Sequence, residues 1–286
     1  MSSEKIIVGS NVDLQKKNAE MASQAANFGI NEDFLREENS FITEEVELPS
    51  KGVFYKNGKK TVKIKYLTSD EDNILYSPEL IKSGKVLDAL LQQAVVDKDL
   101  NPSEMLIGDR NVVLVQMAKN GIGEIYNPGE VIRCPHCKEV IAPDVDLNKL
   151  KLKYLAVEPD EKGEYNFLLP FMNIPIKFRM LTGYDENRLS KPNMKKASKD
   201  AFKVSTNVTD KYKLQIMEVG GQRDKLYVDK LVKIMPMRDS NAFREYVKLI
   251  TPGMDYDYDF VCTECESHFT AEVPLTARLF YPNVEL

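Results

Sequence analysis

Histidine is almost absent from this 286-residue chain, which has two, His136 and His268. The sequence contains no Ser-His-Asp set, no His-Glu-x-x-His helix, no Walker phosphate loop and no glycine-rich dinucleotide loop. Nucleophilic, metalloprotease and nucleotide chemistry therefore have no visible carriers, and we read the chain as a non-enzyme with no small-molecule substrate. Carboxylates such as Asp70, Glu71 and Asp72 are better explained as charges that complement a helix N-terminus. No apolar run reaches the roughly 18 residues that a membrane-spanning helix needs. The start, Met1-Ser2-Ser3-Glu4-Lys5-Ile6-Ile7-Val8, lacks the long apolar core of a secretion signal. Positive charge is not in excess either. The net charge is −5 and the pI about 5.4, so no global field draws in nucleic acid or an anionic membrane surface.

Cysteine is scarce, with four residues, but all four fall in two short stretches. These are Arg133-Cys134-Pro135-His136-Cys137-Lys138 and Val261-Cys262-Thr263-Glu264-Cys265-Glu266. Each is a Cys-x-x-Cys knuckle that follows a short β-prone run. A knuckle puts two thiolates on one tight turn, and two facing knuckles complete a tetrahedral zinc site with bonds of roughly 2.3 Å. A closed four-cysteine site is structural, because no position is left open for water. Two other readings stand beside zinc. A pair of redox dithiols requires a thioredoxin-like βαβ setting, which is not visible; four plain buried thiols would not explain two matched spacings. Metal-ligating cysteines also point to a reducing compartment rather than a disulfide framework, hence a cytosolic location. Both histidines lie at the knuckles and read as turn and strand residues.

The knuckles begin 128 positions apart, at Cys134 and Cys262, whereas a zinc ribbon needs only about 15–20 residues between them. The intervening sequence suggests why. Val62 to Tyr66 alternates apolar and polar residues, then Leu67-Thr68 leads into Glu71-Asp72-Asn73, with Thr68 and Glu71 set as a capping box. Ile174 to Met180 alternates likewise and leads into Leu181-Thr182 and Asp185-Glu186-Asn187, an offset of 114 positions. Asp109-Arg110-Asn111 has its counterpart in Asp239-Ser240-Asn241, each expected to cap an apolar helix, and Pro128-Gly129 in Pro252-Gly253. Val145-x-Leu147 follows the first knuckle as Val273-x-Leu275 follows the second. The expected fold is α+β: two diverged tandem repeats of short strands and helices, joined through one shared four-cysteine, zinc-ribbon-like site. Residues 1–40 would be a polar N-terminal arm, with a helix from Val12 to Phe28; 41–150 the first repeat with knuckle one; 151–286 the second with knuckle two. The alternative is that each knuckle meets its partner in another copy of the chain. Lys191 to Thr209 is basic and reads as a solvated helix or linker, Gly220-Gly221-Gln222 as a turn, and Leu279-Phe280-Tyr281-Pro282 as a terminus that docks on the body or a neighbour.

A series of stretches carries a further likeness. Glu47-Leu48-Pro49-Ser50-Lys51-Gly52-Val53-Phe54-Tyr55 is followed by Leu67-Thr68, Glu71 to Leu75, Leu80 to Leu91 and Leu106-Ile107-Gly108-Asp109-Arg110-Asn111. Then come Cys134-Pro135-His136-Cys137, Met235-Pro236-Met237-Arg238-Asp239-Ser240, Arg244-Glu245-Tyr246, Pro252-Gly253, Phe260 to Cys265 and Phe280-Tyr281-Pro282. In this order they resemble the baseplate hub assembly family of T-even-type contractile-tailed bacteriophages, over roughly residues 44–284. The resemblance implies a virus-encoded, non-enzymatic protein that builds or forms part of the baseplate hub, assembled in the host cytoplasm. Its implied partners are the hub, the tape measure and other tail proteins. The competing expectation from the residues alone is a zinc-ribbon nucleic-acid-binding regulator. It calls for a basic surface around the knuckles, yet Arg133 and Lys138 stand at one and Glu264 and Glu266 at the other.

Overall fold

In the computed structural model, residues 42–129, 132–190, 207–273, 275 and 277–281 are described, and those from Thr43 onward belong to one unit. The proposed arm at 1–40, and most of the basic stretch expected as a helix or linker, lie outside the described residues. The alternating stretches form antiparallel strands. β1 (Thr43–Glu47) and β2 (Thr61–Lys65) pair with Val46 opposite Val62. Three short helices follow, α1 (Ser69–Leu75), α2 (Pro78–Ser83) and α3 (Val86–Ala94). Then comes α4 (Ile107–Gly121), whose run Val112-Val113-Leu114-Val115 is buried on every side, as expected of a helix apolar all round. β3 (Ile125–Tyr126), the hairpin β4 (Ile132–Arg133) and β5 (Val140–Ile141), and β6 (Val145–Asp146) lead to β7 (Lys151–Lys153).

A second series then begins. β8 (Glu164–Leu168) and β9 (Pro175–Arg179) form a hairpin, extended on the β9 side by β10 (Ile216–Val219). Between β9 and β10 run α5 (Gly183–Ser190) and α6 (Asn207–Gln215). After β10, α7 (Lys225–Ile234) and α8 (Met237–Ile250) precede β11 (Gly253–Asp255), which pairs with β7. The hairpin β12 (Asp257–Val261) and β13 (His268–Glu272) comes last, before a 3-10 turn at Ala277–Phe280.

Two apolar clusters hold these elements. The first joins Leu48, Val62, Ile64, Leu90, Leu91, Met105, Val113 and Met117. It also takes Tyr258, Phe260, Val273, Leu279, Phe280 and Tyr281 from the far end of the chain, so the aromatic terminus docks here. The second centres on Leu169, Ile176, Phe178, Phe243 and Ile250. There Phe178 and Phe243 meet edge to face with centroids 5.0 Å apart, a favoured aromatic geometry. Leu106, at the start of α4, belongs to the second cluster, and α4 itself to the first. The two crossings demand glycine. A Cβ on Gly108 would lie 1.9 Å from the carbonyl oxygen of Pro252, and one on Gly183 1.6 Å from Nη1 of buried Arg110. Arg110 in turn is ion-paired with Asp88, and with Glu186 at 3.5 Å.

One set of polar bonds occurs twice. The Thr68 N–H and hydroxyl donate to Glu71, which also takes Lys65 at 2.8 Å. The Thr182 N–H and hydroxyl donate to Asp185, which takes both ends of the Arg179 fork at 2.7 and 2.8 Å. The helices expected to begin at Asp109 and Asp239 start two residues earlier, at Ile107 and Met237. Each aspartate sits in the first turn, wholly buried, and reaches back to the tip of its own hairpin. Asp109 accepts the Ser50 N–H at 3.0 Å and the Tyr55 hydroxyl at 2.5 Å. Asp239 accepts the N–H groups of Phe171 and Met172 at 2.7 and 3.0 Å. A long-range donor has taken the carboxylate that local capping would have used.

Candidate metal centre

Both knuckles are the tips of two-stranded hairpins, and both turns are closed in the same way. The Cys134 N–H donates to the Glu139 carbonyl at 2.9 Å, and the Lys138 N–H returns to the Cys134 carbonyl at 3.0 Å. In the second, the Cys262 N–H donates to Ser267 and the Glu266 N–H to Cys262, each at 3.0 Å. Lys138 and Glu266 occupy the left-handed region, at φ 68° and 56°. Such a turn folds the chain back so that both sulfurs of a knuckle point to one side.

The hairpins face each other, and the four sulfurs of Cys134, Cys137, Cys262 and Cys265 all lie within 4.8 Å of one another. Cys134 Sγ is 3.8 Å from Cys265 Sγ, and Cys137 Sγ is 3.6 Å from Cys262 Sγ. Bonds of roughly 2.3 Å to a central tetrahedral zinc put the sulfurs about 3.8 Å apart. The contacts are far longer than the ~2.05 Å of a disulfide. The donor set, spacing and closure thus fit a structural zinc. Cys134 and Cys262 are buried and Cys137 and Cys265 partly exposed. Among the described residues, no other cluster of histidine, cysteine, aspartate or glutamate has metal-binding geometry. His136 and His268 are exposed and outside it.

The peptide groups of the turns tune the thiols. At Cys265, hydrogen bonds from the hydroxyl and N–H of Ser267 stabilise the thiolate and bring its pKa down to about 6. At Cys134, burial opposes ionisation, but the N–H groups of Cys137 and His136 outweigh it and the value falls. At Cys137, the Glu139 N–H favours the thiolate, yet burial and the three neighbouring thiols prevail and push it up. Four thiols this close share protons, and a divalent cation replaces those protons when it binds. Ser267 is the member of this site that sequence reasoning passed over. Its one signal is a small hydroxyl two residues after Cys265, where a knuckle turn needs a donor.

The packing around the centre is thin. Among the described residues, only Ile141 joins Cys134 and Cys262 as a buried residue, with Ile132 and Phe269 partly buried beside them. The second hairpin is anchored at its base, where Tyr258 and Phe260 join the first apolar cluster, and Ile132 of the first hairpin packs against the same cluster. A model of the family described as T4 bacteriophage base plate protein matches residues 44–280. No match was found among curated proteins or among solved structures.

Proposed function

The chain belongs to the T4 bacteriophage base plate protein family, and from that premise we propose that it is a non-enzymatic component or assembly factor of the base plate hub. It contacts the hub, the tape measure and other tail proteins, is assembled in the host cytoplasm, and is held in shape by one structural zinc ion. The observation that carries the metal part is the convergence of four sulfurs, within 4.8 Å of one another, from two knuckles 128 positions apart in the chain. Cys134, Cys137, Cys262 and Cys265 would hold the ion. Its chemistry there is cross-linking, since all four positions are filled by thiolates.

The ion would also unite two diverged copies of one unit. The paired Thr-acid-base caps, the paired buried aspartates and the paired knuckle turns support this reading. Because each copy supplies one knuckle, zinc binding energy becomes folding energy for the pair. The charges at the knuckles are mixed, Arg133 and Lys138 at one and Glu264 and Glu266 at the other, which speaks against a basic face for nucleic acid.

The test is quantitative mass spectrometry of purified particles, scaled to a known hub protein. A fixed ratio to the hub is the expected result for a resident component. Absence from particles, with recovery bound to hub precursors in infected cells, assigns an assembly factor. Absence from both contradicts the reading.

A further inference from the structure

The two hairpin tips are built alike but covered differently. In each, a wholly buried leucine and a proline end the first strand, Leu48-Pro49 and Leu169-Pro170, and a buried aspartate pins the next backbone N–H. At the first tip, an extended segment of the chain lies across the turn. The Leu155 N–H donates to the Pro49 carbonyl at 2.9 Å, and Lys51 sits over the Tyr154 ring at 5.5 Å. Pro49 is buried as a result, and Phe54 packs on the second cluster. At the second tip nothing among the described residues plays that part. Pro170 is exposed, and Phe171 is 63% exposed.

The surroundings of this second tip are apolar too. The carboxylate that pins Phe171 belongs to the first turn of α8, which opens with Met237, 79% exposed. Ile234, 65% exposed, ends α7 just before. Lys233 and Arg238 flank these two residues, both exposed, and the side chain of neither makes an ion pair or hydrogen bond among the described residues. Free-standing apolar side chains of this size are ordinary when scattered, but a cluster with a charged rim marks an interaction surface. Methionine adds adaptability to such a surface.

We propose that Phe171, Ile234 and Met237 form a docking surface for an extended segment of another tail protein, one carrying an apolar or aromatic side chain flanked by carboxylates. The first tip supplies the precedent for the extended occupant: Tyr154-Leu155 covers it with one ring and one backbone hydrogen bond. The two unpaired cations supply the complementarity that selects acidic flanks. Asp239 holds the turn in place beforehand, so little ordering is lost on binding.

The inference rests on the tail-assembly reading above, which particle composition tests by itself. The full chain is probed against an array of overlapping synthetic peptides covering the tail proteins of the same phage. Two double variants accompany it, Phe171→Ser with Met237→Ser and Lys233→Glu with Arg238→Glu, and Met237→Ser alone serves if a double variant fails to fold. Wild type is expected to retain peptides with an apolar anchor and acidic flanks, and each variant to bind them about tenfold more weakly or worse. Retention of no peptide, retention of basic peptides, or equal retention by the variants overturns the proposal. So does light scattering that shows the wild-type chain self-associating through this face, since a second copy would then be the occupant. An empty array with the chain present in particles overturns the docking surface alone.

Discussion

Replacing Asp239 with alanine should destabilise this protein far more than its position in a first helical turn would suggest. The carboxylate is wholly buried and accepts two backbone N–H groups, from Phe171 at 2.7 Å and Met172 at 3.0 Å. Hydrogen bonds to a charged group contribute about 1.5–3 kcal/mol each, and their loss leaves donors without partners. The negative charge at the helix N-terminus adds about 0.3–1 kcal/mol. Together the cost is about 3–7 kcal/mol, which for a chain of this size lowers the melting temperature by roughly 6–28 °C. Asparagine keeps one oxygen acceptor and should lose about half as much. Urea unfolding at neutral pH, followed by circular dichroism, reads the difference directly. An alanine variant within about 0.5 kcal/mol of wild type, the range of an ordinary surface change, would refute the reasoning. So would an asparagine variant as damaged as the alanine one.

Three further outcomes follow from other sites. Removing zinc with a strong chelator should unfold the knuckle ends of the two hairpins and spare the body. The few side chains buried at the knuckle ends contribute about 1.5–3 kcal/mol each, against about 10–16 kcal/mol from a structural zinc; hydrogen exchange should accelerate at Ile132–Ile141 and Val261–His268 and remain slow in α4 and at core residues Tyr258 and Phe260, and uniform acceleration would contradict this. Gly108→Ala drives a Cβ toward the Pro252 carbonyl oxygen, to 1.9 Å in the unrelaxed backbone, so it should cost at least about 1–3 kcal/mol in thermal unfolding; an unchanged melting point would show that α4 and β11 can part freely. The third concerns pH. Burial alone would raise Asp185, but the Arg179 fork and the Thr182 donors outweigh it and its folded pKa lies below the ordinary 3.8. Its stabilisation is therefore present above that value and is lost as pH falls through it toward the folded value. Asp185→Asn should flatten the stability profile in that acid window, and an unaltered acid limb in urea titrations would rule the pair out as a contributor.

Much of the candidate site was legible because metal ligands obey spacing. Two Cys-x-x-Cys knuckles with no cysteine left over define a four-thiol set whatever lies between them, and the four sulfurs do converge. The capping box at Thr68 and Glu71 and the alternating strands β2 and β9 were legible for the same reason, since their chemistry is local. What stayed hidden was long-range. Asp109 and Asp239 look like ordinary helix caps in sequence, and only the folded chain shows them tying a helix to a hairpin tip. The aromatic terminus at Leu279–Tyr281 was legible as a docking segment, but nothing in Tyr258, Phe260 or Val273 announces that they complete the core built by residues 46–152, because burial against a distant partner leaves no periodic mark. Gly108 and Gly183 likewise look like any glycines until the carbonyl and guanidinium beside them are seen. Lys211 to Val219 holds two elements, α6 to Gln215 and β10 from Ile216, with no glycine or proline to mark the change.

Native mass spectrometry of the purified full-length chain, with and without chelator, bears most directly on the central claim that two knuckles 128 positions apart in one chain close around a single zinc ion. One zinc per monomeric chain is the predicted result, lost in a Cys134→Ser, Cys137→Ser, Cys262→Ser, Cys265→Ser variant. A metal-free wild-type chain, or zinc found only in species containing two chains, would contradict it.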